Sequence, residues 1–109
     1  MTSNKEKGMP SDMNTLSQYQ GIVWEAGLLP GRLLLFPVNH GRGGICIGTE
    51  ETDGPDLLIK AEGYVYFYVS SAGNGNPHDY YVITDYDGPF MPAHSGDVFK
   101  FGKESFRLV

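Results

Sequence analysis

Tyr64-Val65-Tyr66-Phe67-Tyr68-Val69 is the stretch that decides the fold. β-branched and aromatic residues suit a pleated, half-buried surface. Side chains alternate across a strand, so Val65, Phe67 and Val69 share one face and Tyr64, Tyr66 and Tyr68 the other. The run predicts a strand with an apolar core face and a tyrosine face that is a packed outer surface or the wall of a groove. Ser70 to Asp79 is nearly all turn formers and leads into Tyr80-Tyr81-Val82-Ile83-Thr84-Asp85, so the two runs read as a long-looped hairpin.

The same texture extends in both directions. Gly21 to Glu25, Arg32 to Val38, Ile45 to Gly48 and Leu57 to Lys60 are short strand candidates. Pro30-Gly31 marks a turn, and Pro37 inside its run implies an edge or a bulge. Downstream, Asp87-Gly88-Pro89 is a turn, Phe90-Met91 begins a strand, and Val98 to Phe101 with Glu104 to Val109 forms a hairpin around Gly102-Lys103. No segment after residue 20 carries a sustained helical period. Regularly spaced short strands predict an all-β fold, a small sandwich that is forkhead-associated-like or jelly-roll-like, over residues 19–109. Residues 1–18 are polar and lack a period, and read as a flexible N-terminal arm. The expected core is Leu34, Phe36, Ile45, Ile47, Val65, Phe67, Val69, Val82, Phe99, Phe101 and Leu108.

At 109 residues there is room for one domain. The net charge of −5, with eight basic residues, argues against nucleic acid as a partner, because phosphate binding needs clustered Lys and Arg. A single cysteine, Cys46, lies in an apolar run and reads as a buried thiol rather than half of a disulfide. No stretch is apolar enough to span a membrane and the start lacks an apolar signal region, so the expectation is a cytoplasmic protein or a virion component.

No constellation marks a reaction or requires a cofactor, and the expectation is a non-enzymatic protein. His40, His78 and His94 sit in loops without ligand-pair spacing, so no metal site is expected. Arg42-Gly43-Gly44 is a weak candidate anion nest without the ending of a P-loop. Two partner-binding candidates stand out. One is an acidic loop end: counting strands as crossing the fold once each places Thr49–Asp56 and Ser71–Asp79 together, so that Glu50, Glu51, Asp53, Asp56 and Asp79 would attract a basic protein. The other is the Tyr64, Tyr66, Tyr68 face, since tyrosine combines a rigid apolar ring with a polar tip.

Gly96-Asp97-Val98-Phe99-Lys100-Phe101-Gly102, closing with Phe106-Arg107-Leu108-Val109, resembles the last hairpin of a forkhead-associated domain. Ile45-Cys46-Ile47-Gly48 and Tyr81-Val82-Ile83-Thr84-Asp85 resemble that family's strands leading to its Gly-Arg and its Asp. Thr49 stands where the family has its phosphate-binding arginine, Lys60 to Tyr64 contains no Ser or His, and Asp87-Gly88-Pro89 replaces its Asn-Gly. The resemblance implies a degenerate protein–protein scaffold that has lost phosphothreonine reading. The alternatives are an assembly subunit that uses its arm, and a jelly-roll protein that binds a small ligand or metal.

Overall fold

The computed structural model describes residues 19–38 and 43–109. Nine strands follow in order: β1 Tyr19–Ala26, β2 Arg32–Pro37, β3 Gly44–Gly48, β4 Leu57–Leu58, β5 Tyr66–Ser71, β6 Asp79–Ile83, β7 Met91–His94, β8 Val98–Phe101 and β9 Glu104–Leu108. They form a four-stranded sheet, β2-β1-β9-β8, and a five-stranded sheet, β4-β3-β5-β6-β7. The pairings are antiparallel except β3 with β4. Among the described residues the only helical element is one 3-10 turn, Glu51–Asp53, and no helix is long and apolar enough to cross a membrane.

The alternation in the deciding stretch holds. Val65, Phe67 and Val69 are fully buried, and Tyr66 and Tyr68 turn to the opposite face. The regular strand nonetheless begins at Tyr66, two residues after the predicted start. The Val65 amide is taken by the Thr49 hydroxyl (2.9 Å) and its carbonyl by the Thr49 amide (3.1 Å), so a loop occupies the place of a ladder partner there.

The two sheets meet through aromatic rings. Phe67 of β5 packs against Phe99 (5.1 Å), Phe101 (5.3 Å) and Phe106 (5.4 Å) of the opposing sheet. Tyr80 of β6 lies edge-on to Phe36 of β2, and its hydroxyl donates to the Val109 carbonyl at 2.6 Å. Phe36, Ile47, Val82 and Leu108 are buried as expected. Leu34, Ile45, Phe99 and Phe101 pack against the core while half-buried. They lie on strands at or next to a sheet edge, where the opposing sheet covers only part of each side chain. Ile22, Trp24, Ile59, Tyr80, Ala93 and Phe106 complete the core, none of them expected from sequence.

Candidate functional site

β5 and its neighbours turn an aromatic face outward. Cys46 of β3, Tyr68 of β5 and Ile83 of β6 stand side by side across the sheet, as do Ser70, Tyr81 and Pro92. Phe90, just before β7, is 57% exposed and meets both Tyr68 (6.0 Å) and Tyr81 (6.3 Å) edge-on. Tyr86, in the β6–β7 loop, meets Tyr66 edge-on at 5.6 Å. Such perpendicular pairs hold one another in fixed orientations, so the face is built from mutually braced rings.

Carboxylates fringe this face. The Tyr64 hydroxyl donates to Asp53 Oδ2 at 2.6 Å, tying the aromatic face to the 3-10 turn that carries Glu51, with Glu50 immediately before it. Asp56 Oδ2 accepts the Cys46 amide at 2.8 Å. Desolvation, the hydrogen bond to Asp53 and the Asp53 and Asp85 charges push the Tyr64 hydroxyl above the ordinary tyrosine range. Desolvation, then Cys46 and Asp53, push Tyr66 up to about 12. Burial likewise raises the Cys46 thiol, which stays protonated and unreactive near neutrality.

The acidic loop and the tyrosine face, read separately from sequence, thus form one continuous surface through the Tyr64–Asp53 bond. From Gly44 to Pro92 the chain carries one lysine or arginine, Lys60, against Glu50, Glu51, Asp53, Asp56, Glu62, Asp79, Asp85 and Asp87.

Asp79 does not belong to that surface. Ser71–Asp79 lies at the opposite end from Thr49–Asp56, contrary to the strand count. β4 runs parallel to β3, with Leu57 opposite Ile47, so the chain doubles back beside β3 before it advances again. β5 then descends antiparallel, bringing Ser70 opposite Gly44. At that far end, Asp79 accepts from Asn74 (2.9 Å) and pairs with His94 Nδ1 (3.0 Å), contacts that hold its carboxyl below the usual range. His78 Nδ1 lies 3.0 Å from the Ser95 hydroxyl, which itself donates to the Val109 carbonyl. Among the described residues no group of three or more His, Cys, Asp or Glu side chains is placed to hold a metal ion.

Of the candidate anion nest, Arg42 lies outside the described residues, as does His40. Gly43 has φ +147°, and a Cβ there would strike the Pro37 carbonyl. Its own carbonyl accepts the Ser71 amide at 3.0 Å. That close crossing explains the glycine, and Gly44 is already within β3.

Glu104 was missed from sequence. It is 3% exposed, and its Oε1 accepts from the Trp24 indole (2.9 Å) and the Leu28 amide (3.0 Å). Gly27, at φ +116°, faces the carboxylate so closely that a Cβ would collide with it. A cleft of about 340 Å³ opens here, lined by Gly27, Leu28, Lys60, Glu62, Lys103 and Glu104. The available signal was period two: Glu104, Phe106 and Leu108 share one face of β9. No protein-family model, no curated protein and no solved structure matches the chain.

Proposed function

We propose that this chain is a non-enzymatic protein-interaction module that takes a basic partner segment on the aromatic, carboxylate-fringed face of its five-stranded sheet. The observation that carries the reading is the Tyr64–Asp53 bond, which joins exposed rings to a cluster of acids in one surface. Rings attract Lys and Arg side chains through their faces, and neighbouring carboxylates add charge complementarity.

The forkhead-associated-like scaffold remains part of the proposal. Its matching segments occupy β3, β6 and the β8–β9 hairpin, in order. The loops after β3, before β5 and after β6 gather at one end and carry Glu50, Glu51, Asp53, Asp56, Glu62, Asp85 and Asp87. Carboxylates repel phosphate, so this end favours a cation over a phosphothreonine.

Calorimetric titration with Lys/Arg-rich peptides, phosphothreonine peptides and neutral oligosaccharides tests the proposal. The expected result is salt-dependent binding of the basic peptides alone. It should weaken in both a Tyr68→Ala/Phe90→Ala variant and a Glu50/Glu51/Asp53 triple alanine variant that melt near the parent temperature. Micromolar phosphopeptide binding overturns the loss of phosphate reading. Oligosaccharide binding without peptide binding replaces the proposal with sugar stacking.

A further inference from the structure

The two sheets have four edges, and three of them carry features that discourage pairing with another strand. β4 is two residues long, β7 contains Pro92, and β8 carries the exposed Lys100. β2 differs. Its outward-facing side chains include Leu33 and Leu35, 51% and 53% exposed, and its one charged residue is Arg32 at the start.

The direction of the free backbone groups follows from the ladder. The Gly21 carbonyl accepts the Val109 amide, so Gly21 points its polar groups towards β9. Alternation then points Gln20, Ile22 and Trp24 towards β2, where they oppose Phe36, Leu34 and Arg32. Leu33 and Leu35 therefore direct both N–H and C=O away from β1, and among the described residues no strand lies beyond them. Pro37 occupies the next outward position, where its missing N–H removes no bond to β1, and Gly43 crosses its carbonyl. The free edge thus runs from Arg32 to Phe36.

We infer that this edge pairs antiparallel with the same edge of a second copy of the chain, across a two-fold axis at Leu34. In that register Leu33 meets Leu35 of the second copy, Leu34 meets Leu34, and Arg32 meets Phe36. Each outward N–H then finds an outward carbonyl, the leucines stack as cross-strand pairs, and the two arginines do not face one another. Sliding the strands by two residues brings Pro37 opposite a leucine or leaves a leucine opposite the turn at Gly31, and bonds are lost. β2 itself carries no carboxylate to repel its copy, and the nearest one, Glu25 on β1, is paired with Arg107. Joining the edges makes one continuous sheet from two four-stranded ones.

Light scattering and amide exchange on the full chain test this. The mass should rise with concentration towards twice the 12.0 kDa of the chain. The Leu33 and Leu35 amides should become protected over the same range, while the Leu34 and Phe36 amides are protected throughout. Leu33→Lys/Leu35→Lys sets lysine opposite lysine and should weaken association by roughly tenfold or more. Leu34→Cys should crosslink to its copy under mild oxidation, because facing residues at a narrow pair have Cα atoms about 4.5 Å apart, within disulfide reach. A chain that stays monomeric to millimolar concentration overturns the inference. So does a dimer whose Leu33 and Leu35 amides exchange freely.

Discussion

The outer faces of the two sheets share one core but differ in kind. On the five-stranded sheet the outward side chains are rings braced against one another, with carboxylates around them. On the four-stranded sheet they include Leu33, Leu35, Val23 and Val98, together with the exposed Lys100 and a pair in which Arg107 Nε donates to Glu25 at 3.0 Å. The inner faces, by contrast, are mainly apolar and interlock, and the buried polar side chains Gln20 and Glu104 are hydrogen-bonded there. Folding constrains an inner face to fill space, whereas an outer face is free to specialise. The difference points to recognition by side chains on one sheet and by backbone on the other.

The largest effect expected tests the shared core. Phe67→Ala removes the ring on which Phe99, Phe101 and Phe106 converge and should cost about 3–5 kcal/mol by chemical denaturation. A loss below about 1 kcal/mol would mean that the sheets do not depend on one core. Next is Glu104→Ala, which strands the Trp24 indole and Leu28 amide without an acceptor and should cost about 1–3 kcal/mol. Glu104→Gln keeps an acceptor at the same place and should cost less. Equal losses for the two variants would show that packing, not hydrogen bonding, is what the side chain supplies.

Smaller effects separate the outer faces. Tyr68→Ala/Phe90→Ala should cost less than either core change, on the order of 1 kcal/mol, because Phe90 is exposed and Tyr68 only half-buried. A much larger loss would make the aromatic face structural and remove the contrast with the leucine edge. The last effect is confined to alkaline pH. The folded protein holds the Tyr66 proton up to about pH 12, against an ordinary value near 10, so unfolding in that interval releases a proton. This contribution is complete below pH 10 and fades as pH rises towards 12. Comparing parent and Tyr66→Phe melts across that window should show the parent losing stability more steeply.

Sequence reasoning read local signals well. The alternation at Val65, Phe67 and Val69, the edge position implied by Pro37, and the hairpin around Gly102-Lys103 all stand in the structure. It failed where the deciding partner is distant or a strand is unusually short. Glu104 looks like a solvated charge until Trp24, eighty positions earlier, is beside it. A two-residue parallel strand gives no periodic signal, so the reversal that puts Asp79 at the far end cannot be counted from sequence. The union of the acidic loop with the tyrosine face was hidden for the same reason, since it depends on Asp53 folding back to Tyr64.

β1 lies between β2 and β9, and so between its nearest neighbour in sequence and the last strand described. During synthesis, the β1–β2 hairpin can leave the ribosome long before the strand that completes its other side. Until Leu108 has emerged, Ile22 and Trp24 lack Leu108 and Phe106, and the indole lacks its carboxylate. The domain is therefore committed to folding late and as a unit, with a topology rich in distant pairings that closes slowly. A series of ribosome-stalled lengths should show no compact species until the β8–β9 hairpin clears the exit tunnel, followed by an abrupt gain in protease resistance. A chain cut short by even one strand leaves its first strand as an open edge for other chains to capture.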